Sequence, residues 1–134
     1  MKKIISAVLF TLLVGCSSEP VRPDQAKDIS PATDFVAKPG TVPLTIIRDK
    51  GYVAGGCAIT AFVNGHPVAK LETSEKVTAF VKPGNIIVGA AFKGKGLCSG
   101  AAIKEREFNV TDGQPRNLRI FIDQSGNVDV LPMT

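Results

Sequence analysis

The apolar and polar positions divide the chain into three stretches of different character. Residues 4–13 are apolar apart from Ser6 and Thr11, and Lys2 and Lys3 precede them. Residues 17–42 are the reverse: Pro20, Pro23, Pro31 and Pro39 recur among Asp24, Lys27, Asp28 and Asp34, and the few apolar residues follow no period. From Pro43 onward, short β-branched runs alternate with Gly, Pro, Asn and Asp turns. Such spacing marks an all-β sandwich or barrel.

Within that third stretch, strands are predicted at 44–48, 58–63, 66–71, 76–81, 85–92, 102–110, 116–122 and 128–131. Ile59, Ala61 and Val63 alternate against Ala58, Thr60 and Phe62, the period of a strand. Asn64-Gly65 is a hairpin turn, because both residues tolerate positive φ. Pro83-Gly84 stops the fourth strand. The run 85–92 has no polar face, which predicts a central strand covered on both sides. Glu105 and Glu107 share one strand face, and Lys104 and Arg106 share the other with Phe108 and Val110. Charges on the apolar face predict an edge or rim position. The expectation is one small, all-β sandwich of about seven to eight antiparallel strands, without a helix.

The apolar run at 4–13 is well short of the ~20 residues that a spanning helix needs. A positive start, an apolar run and a small residue are the layout of a secretory signal peptide. The residues Leu13-Val14-Gly15-Cys16 resemble the lipobox of bacterial lipoproteins. That resemblance implies cleavage after Gly15, a diacylglycerol on the Cys16 thiol and acylation of the new amino group. Ser17 follows, in place of the aspartate associated with inner-membrane retention, which implies the periplasmic face of the outer membrane. The chain then divides into a lipoprotein signal peptide at 1–15, a lipidated cysteine and flexible tether at 16–42, and a sandwich domain at 43–134. As a coil, a tether of about 25 residues spans roughly 25–30 Å and lifts the domain clear of the headgroups.

Two further runs, Ala61-Phe62-Val63-Asn64-Gly65 and Ala79-Phe80-Val81-Lys82-Pro83-Gly84-Asn85, resemble the PEGA-like surface domains and related sandwiches of unknown function in bacterial envelope lipoproteins. Asn85 stands where that pattern commonly has histidine. The resemblance covers about two thirds of the chain and consists largely of turn chemistry. It implies a fold, and a binding or structural role rather than catalysis.

The formal charge of +4 includes Lys2 and Lys3, so the mature chain is only slightly basic. Nucleic acid is not an expected partner at this location. With Cys16 acylated, Cys57 and Cys98 remain in an oxidising compartment, and an even remainder there reads as a disulfide. Glycines flank both cysteines and let two loops approach closely. His66 is the single histidine and no Cys-x-x-Cys is present, so neither a metal site nor a cofactor is expected. The loop from Lys93 to Gly100 combines exposed backbone N–H groups with Lys93 and Lys95, a candidate anion-binding concavity. Tyr52, in the other glycine-rich segment, completes the candidate ligand-binding set as a contact aromatic. The expected role is a non-catalytic binding or structural module that is held to the membrane by its lipid and contacts an envelope protein or peptidoglycan. The alternative is a protective inhibitor of an attacking protein, such as a host lysozyme or a phage component.

Overall fold

The structure is a computed structural model that describes residues 18–100 and 102–133. The leader and Cys16, with the lipidation expected there, lie outside the described residues. Nine strands occur among those described: β1 (Lys27–Ile29), β2 (Val42–Arg48), β3 (Ile59–Val63), β4 (His66–Leu71), β5 (Glu75–Val81), β6 (Gly84–Ala91), β7 (Lys104–Val110), β8 (Arg116–Ile122) and β9 (Val128–Pro132). They form a five-stranded sheet in the order β1-β5-β2-β8-β9 and a four-stranded sheet in the order β4-β3-β6-β7. The two sheets pack face to face as a sandwich. Eight of these strands coincide with the expected ones to within two residues at every boundary; β1 lies outside the expected set.

Alternation sets the packing. In β5, Val77, Ala79 and Val81 turn inward, and Lys76, Thr78 and Phe80 turn outward. In β2, Val42, Leu44 and Ile46 point into the core. Ala61, Val63, Val88, Ala90, Leu118, Ile120 and Val130 meet them there. Each fully buried Val, Leu or Ile contributes about 1.5–3 kcal/mol relative to exposure.

Two features depart from the sequence reading of the sheets. The pairing is not wholly antiparallel: β2 lies parallel to β8, and β1 parallel to β5. The chain leaves β2 for the second sheet, returns for β5, crosses again for β6 and β7, and re-enters beside β2 as β8. Strands that enter one sheet from the same end must run in the same direction. The second departure is β6, which is interior in its sheet but covered on one face only in part. Ile87 stays exposed there.

The edge position expected for the charged strand is observed, since β7 borders its sheet. Arg106 resolves the conflict on its apolar face. Its Nε and Nη2 each donate to Asp129 of β9 at 2.7 Å, closing this side of the sandwich across the two sheets. Glu105 and Glu107 face solvent.

The largest correction concerns the stretch expected to be a flexible tether. From Ser18 onward it packs along the domain. Ser18 exchanges backbone and side-chain hydrogen bonds with Ile122, and Glu19 bridges Lys50 in both directions. The Lys76 Nζ donates to the Pro23 carbonyl at 2.6 Å, β1 pairs with β5, and the Ala32 N–H donates to the Val68 carbonyl of β4. Phe35 then enters the main core. The segment thereby covers the β5 edge, whose unpaired backbone groups would otherwise invite another strand. Composition missed this because the docking groups are backbone amides and a few isolated apolar side chains, which carry no periodicity.

Phe35→Ala is expected to lower stability by about 3 kcal/mol in urea denaturation, the cost of emptying a large core site. A residue of a free spacer would change nothing. Acid provides a second check. Hydrogen bonds from Arg106 hold the Asp129 carboxyl below its ordinary value, and those from Asn127 and the turn amides do the same for Asp123. The unfolded chain therefore binds these protons more readily, so stability is complete above the unfolded value of about 3.9 and is lost as pH falls through the lowered folded values. The melting temperature should hold between about pH 7 and 5 and decline below about pH 4, with Asp129→Asn removing part of the decline. A melting temperature that is constant throughout the acid range would contradict this assignment.

Candidate functional site

The direction of the strands gathers five connections at one end of the sandwich. These are the start of the described chain at Ser18, the loop between β2 and β3, the β4–β5 turn, the loop between β6 and β7, and the β8–β9 turn. Cys57 and Cys98 join the two long loops by a disulfide, with Cα atoms 5.2 Å apart. In the chain-entropy treatment a closed loop of this size stabilises by about 4 kcal/mol.

Each loop is held from within. Gly94 donates to the Cys98 carbonyl, Cys98 to Lys95, Ser99 to Gly96 and Gly100 to Phe92. Closure at this distance requires glycine. A Cβ on Gly94 would lie 2.7 Å from the Cys98 Cβ, and one on Gly100 would lie 2.8 Å from the Phe92 Cβ. These bonds bear on how much backbone the loop can offer an anion. Four of the backbone donors of the loop, those of Gly94, Cys98, Ser99 and Gly100, are committed inside it, which leaves fewer to face a ligand beside the Lys93 and Lys95 ammonium groups.

The loop between β2 and β3 is held by Arg48, the last residue of β2. Alternation turns its side chain inward, where it is 0% exposed. The guanidinium donates through Nη1 to the carbonyls of Cys57 (2.5 Å) and Leu71 (2.8 Å), and through Nη2 to that of Ala54 (3.1 Å). Ala54 is held in a left-handed conformation, with φ of +52°. Burial pushes Arg48 below its ordinary pKa, while the carboxylates of Glu72 and Glu75 pull it back up. Asp49 turns to the opposite face. It is 1% exposed and receives a bidentate pair of hydrogen bonds from Arg119 and one from the Ser18 hydroxyl at 2.8 Å.

On this frame Tyr52 and Leu97 project into solvent, 99% and 103% exposed. Leu97 adjoins the staple, its carbonyl 3.9 Å from the Cys57 Sγ. Behind the loops lies a concavity of about 530 Å³, lined chiefly by small and apolar residues that include Ala54, Cys57, Phe92, Leu97, Ile103 and Val128. Tyr52, Lys93 and Lys95 do not line it. They stand on the outer surface of the same end, so the structure brings the expected ligand residues to one end of the fold but not into one cavity. His66 lies at the opposite end, beside the Asn64-Gly65 turn, and is exposed. The sequence reading included Leu97 in the candidate loop without singling it out, and missed Arg48 and Asp49. The adjacent pair at a strand end was the available signal for the latter.

Arg48→Met removes three hydrogen bonds and leaves their carbonyls without that donor. It is expected to cost about 3 kcal/mol in chemical denaturation. It should also accelerate amide hydrogen exchange between Ala54 and Cys57 more than in β8, whereas equal acceleration in both would argue against a local role. Compared with known protein families, curated proteins and solved structures, the chain finds no match.

Proposed function

We propose that this chain is a lipid-anchored envelope lipoprotein that acts as a non-catalytic binding module on the periplasmic face of the outer membrane. The observation that carries this reading is the stapled loop pair. Two loops that connect different strands are locked together by Cys57–Cys98, braced by Arg48, and present a tyrosine and a leucine with their full surfaces in water. Exposed large apolar groups on a rigid frame suit contact with a partner, because little conformational freedom is lost on binding. Lys93 and Lys95, in the same loop as Leu97, add positive charge to that end. The Leu13-Val14-Gly15-Cys16 motif supports the anchor, and the turn chemistry shared with PEGA-like domains supports the non-catalytic role.

Mass spectrometry of the mature chain should find the acyl mass on Cys16. The binding surface is tested without the anchor, in a Cys16→Ser background, by co-sedimentation with isolated outer-membrane fractions. The Tyr52→Ala/Lys93→Ala/Lys95→Ala variant should bind at least about tenfold more weakly, equivalent to ~1.4 kcal/mol, with an unchanged melting temperature. Undiminished sedimentation of that variant would remove the loop pair from the binding surface.

A further inference from the structure

We propose that the stapled end of the sandwich seats directly on the lipid surface that holds the anchor. Tyr52 and Leu97 enter the boundary between headgroups and acyl chains, and Lys93 and Lys95 lie on anionic headgroups. This deepens the proposed function by naming the partner of its loop pair, and it rests on acylation of Cys16.

Topology carries the inference. Ser18 is fixed to the domain by its hydroxyl on Asp49, by its backbone and hydroxyl on Ile122, and by the neighbouring Glu19–Lys50 bridge. Two residues of chain reach at most about 7 Å, so an acylated Cys16 lies no farther than that from Ser18. A domain pinned this close to its lipid cannot stand off from the bilayer, and one of its ends must face the headgroups. The end nearest the anchor is the one that carries the staple, Tyr52 and Leu97.

The chemistry of that end suits a lipid interface. Tyrosine favours the headgroup level, where its ring meets acyl chain and its hydroxyl meets water. No acidic residue occurs between Phe92 and Lys104, so Lys93 and Lys95 present positive charge from their loop. The acidic groups at this end are already engaged or set apart. Glu19 pairs with Lys50, Asp49 with Arg119, Asp123 accepts hydrogen bonds from its own turn, and buried Glu75 accepts from the Glu72 N–H, while Glu72 itself stays exposed on the β4–β5 turn.

Tyr52 is the single tyrosine and the chain has no tryptophan, so intrinsic emission reports this one contact. The experiment reconstitutes the full-length acylated protein in vesicles of phosphatidylethanolamine and phosphatidylglycerol. Tyr52 emission should be quenched by acyl-brominated phospholipid and shielded severalfold from aqueous acrylamide, relative to the Cys16→Ser chain without vesicles. Leu97→Asp should reduce the lipid quenching with the fold intact by circular dichroism. In the Cys16→Ser background, Lys93→Gln and Lys95→Gln should each weaken vesicle partitioning about fivefold at low salt. An acylated protein whose Tyr52 is as open to acrylamide on vesicles as in solution, and unquenched by brominated lipid, overturns the seat alone and turns the loop pair toward the periplasm. Absence of the acyl mass on Cys16 overturns the anchor and the seat together.

Discussion

Two adjacent residues at the end of β2, Arg48 and Asp49, join the parts of this molecule that have no sheet of their own. Strand alternation sends them to opposite faces. Arg48 passes under the β2–β3 loop and gathers three carbonyls, and Asp49 meets Arg119 and the first described residue, Ser18. Burying a charge is costly unless it is paired or hydrogen-bonded, and that cost ties each group to a specific set of partners. The loop that presents Tyr52 and the segment that leads from Cys16 are thus held by a single strand end.

The segment before β2 completes the sandwich rather than hanging from it. A two-sheet sandwich has open sides, and this one closes them by different means. On one side Arg106 of β7 reaches Asp129 of β9. On the other, β1 adds to β5 while Ala32 bonds across to β4 and Phe35 fills the core. Removal of the spacer from the picture changes the functional geometry, because reach is exchanged for orientation. A tethered domain samples every approach to its partner, whereas a docked one presents a defined end.

The rigidity of the stapled loops fits the same logic. Glycines at Gly94 and Gly100 allow the close approach, the disulfide closes a long loop, and internal hydrogen bonds occupy the backbone donors of Gly94, Cys98, Ser99 and Gly100. The side chains offered for contact are one phenol, one isobutyl group and two ammonium groups.

The sequence by itself determined the eight strands from β2 to β9, the Asn64-Gly65 hairpin, the edge position of β7 and the pairing of Cys57 with Cys98. Those features follow from local rules: a period of two, φ preferences, a charge misplaced on an apolar face, and two glycine-flanked cysteines that remain once Cys16 is set aside as the lipidation candidate. Only the tertiary structure decided the parallel neighbours β2 and β8, the docking of residues 18–42 and the place of Ser18 beside the end that carries Tyr52, Leu97, Lys93 and Lys95. Each of these depends on where the chain crosses between sheets, and on backbone groups that are the same in every residue. Arg48 shows the boundary between the two. Its place at a strand end was legible, but its burial required three carbonyls that lie 6, 9 and 23 residues away in the chain.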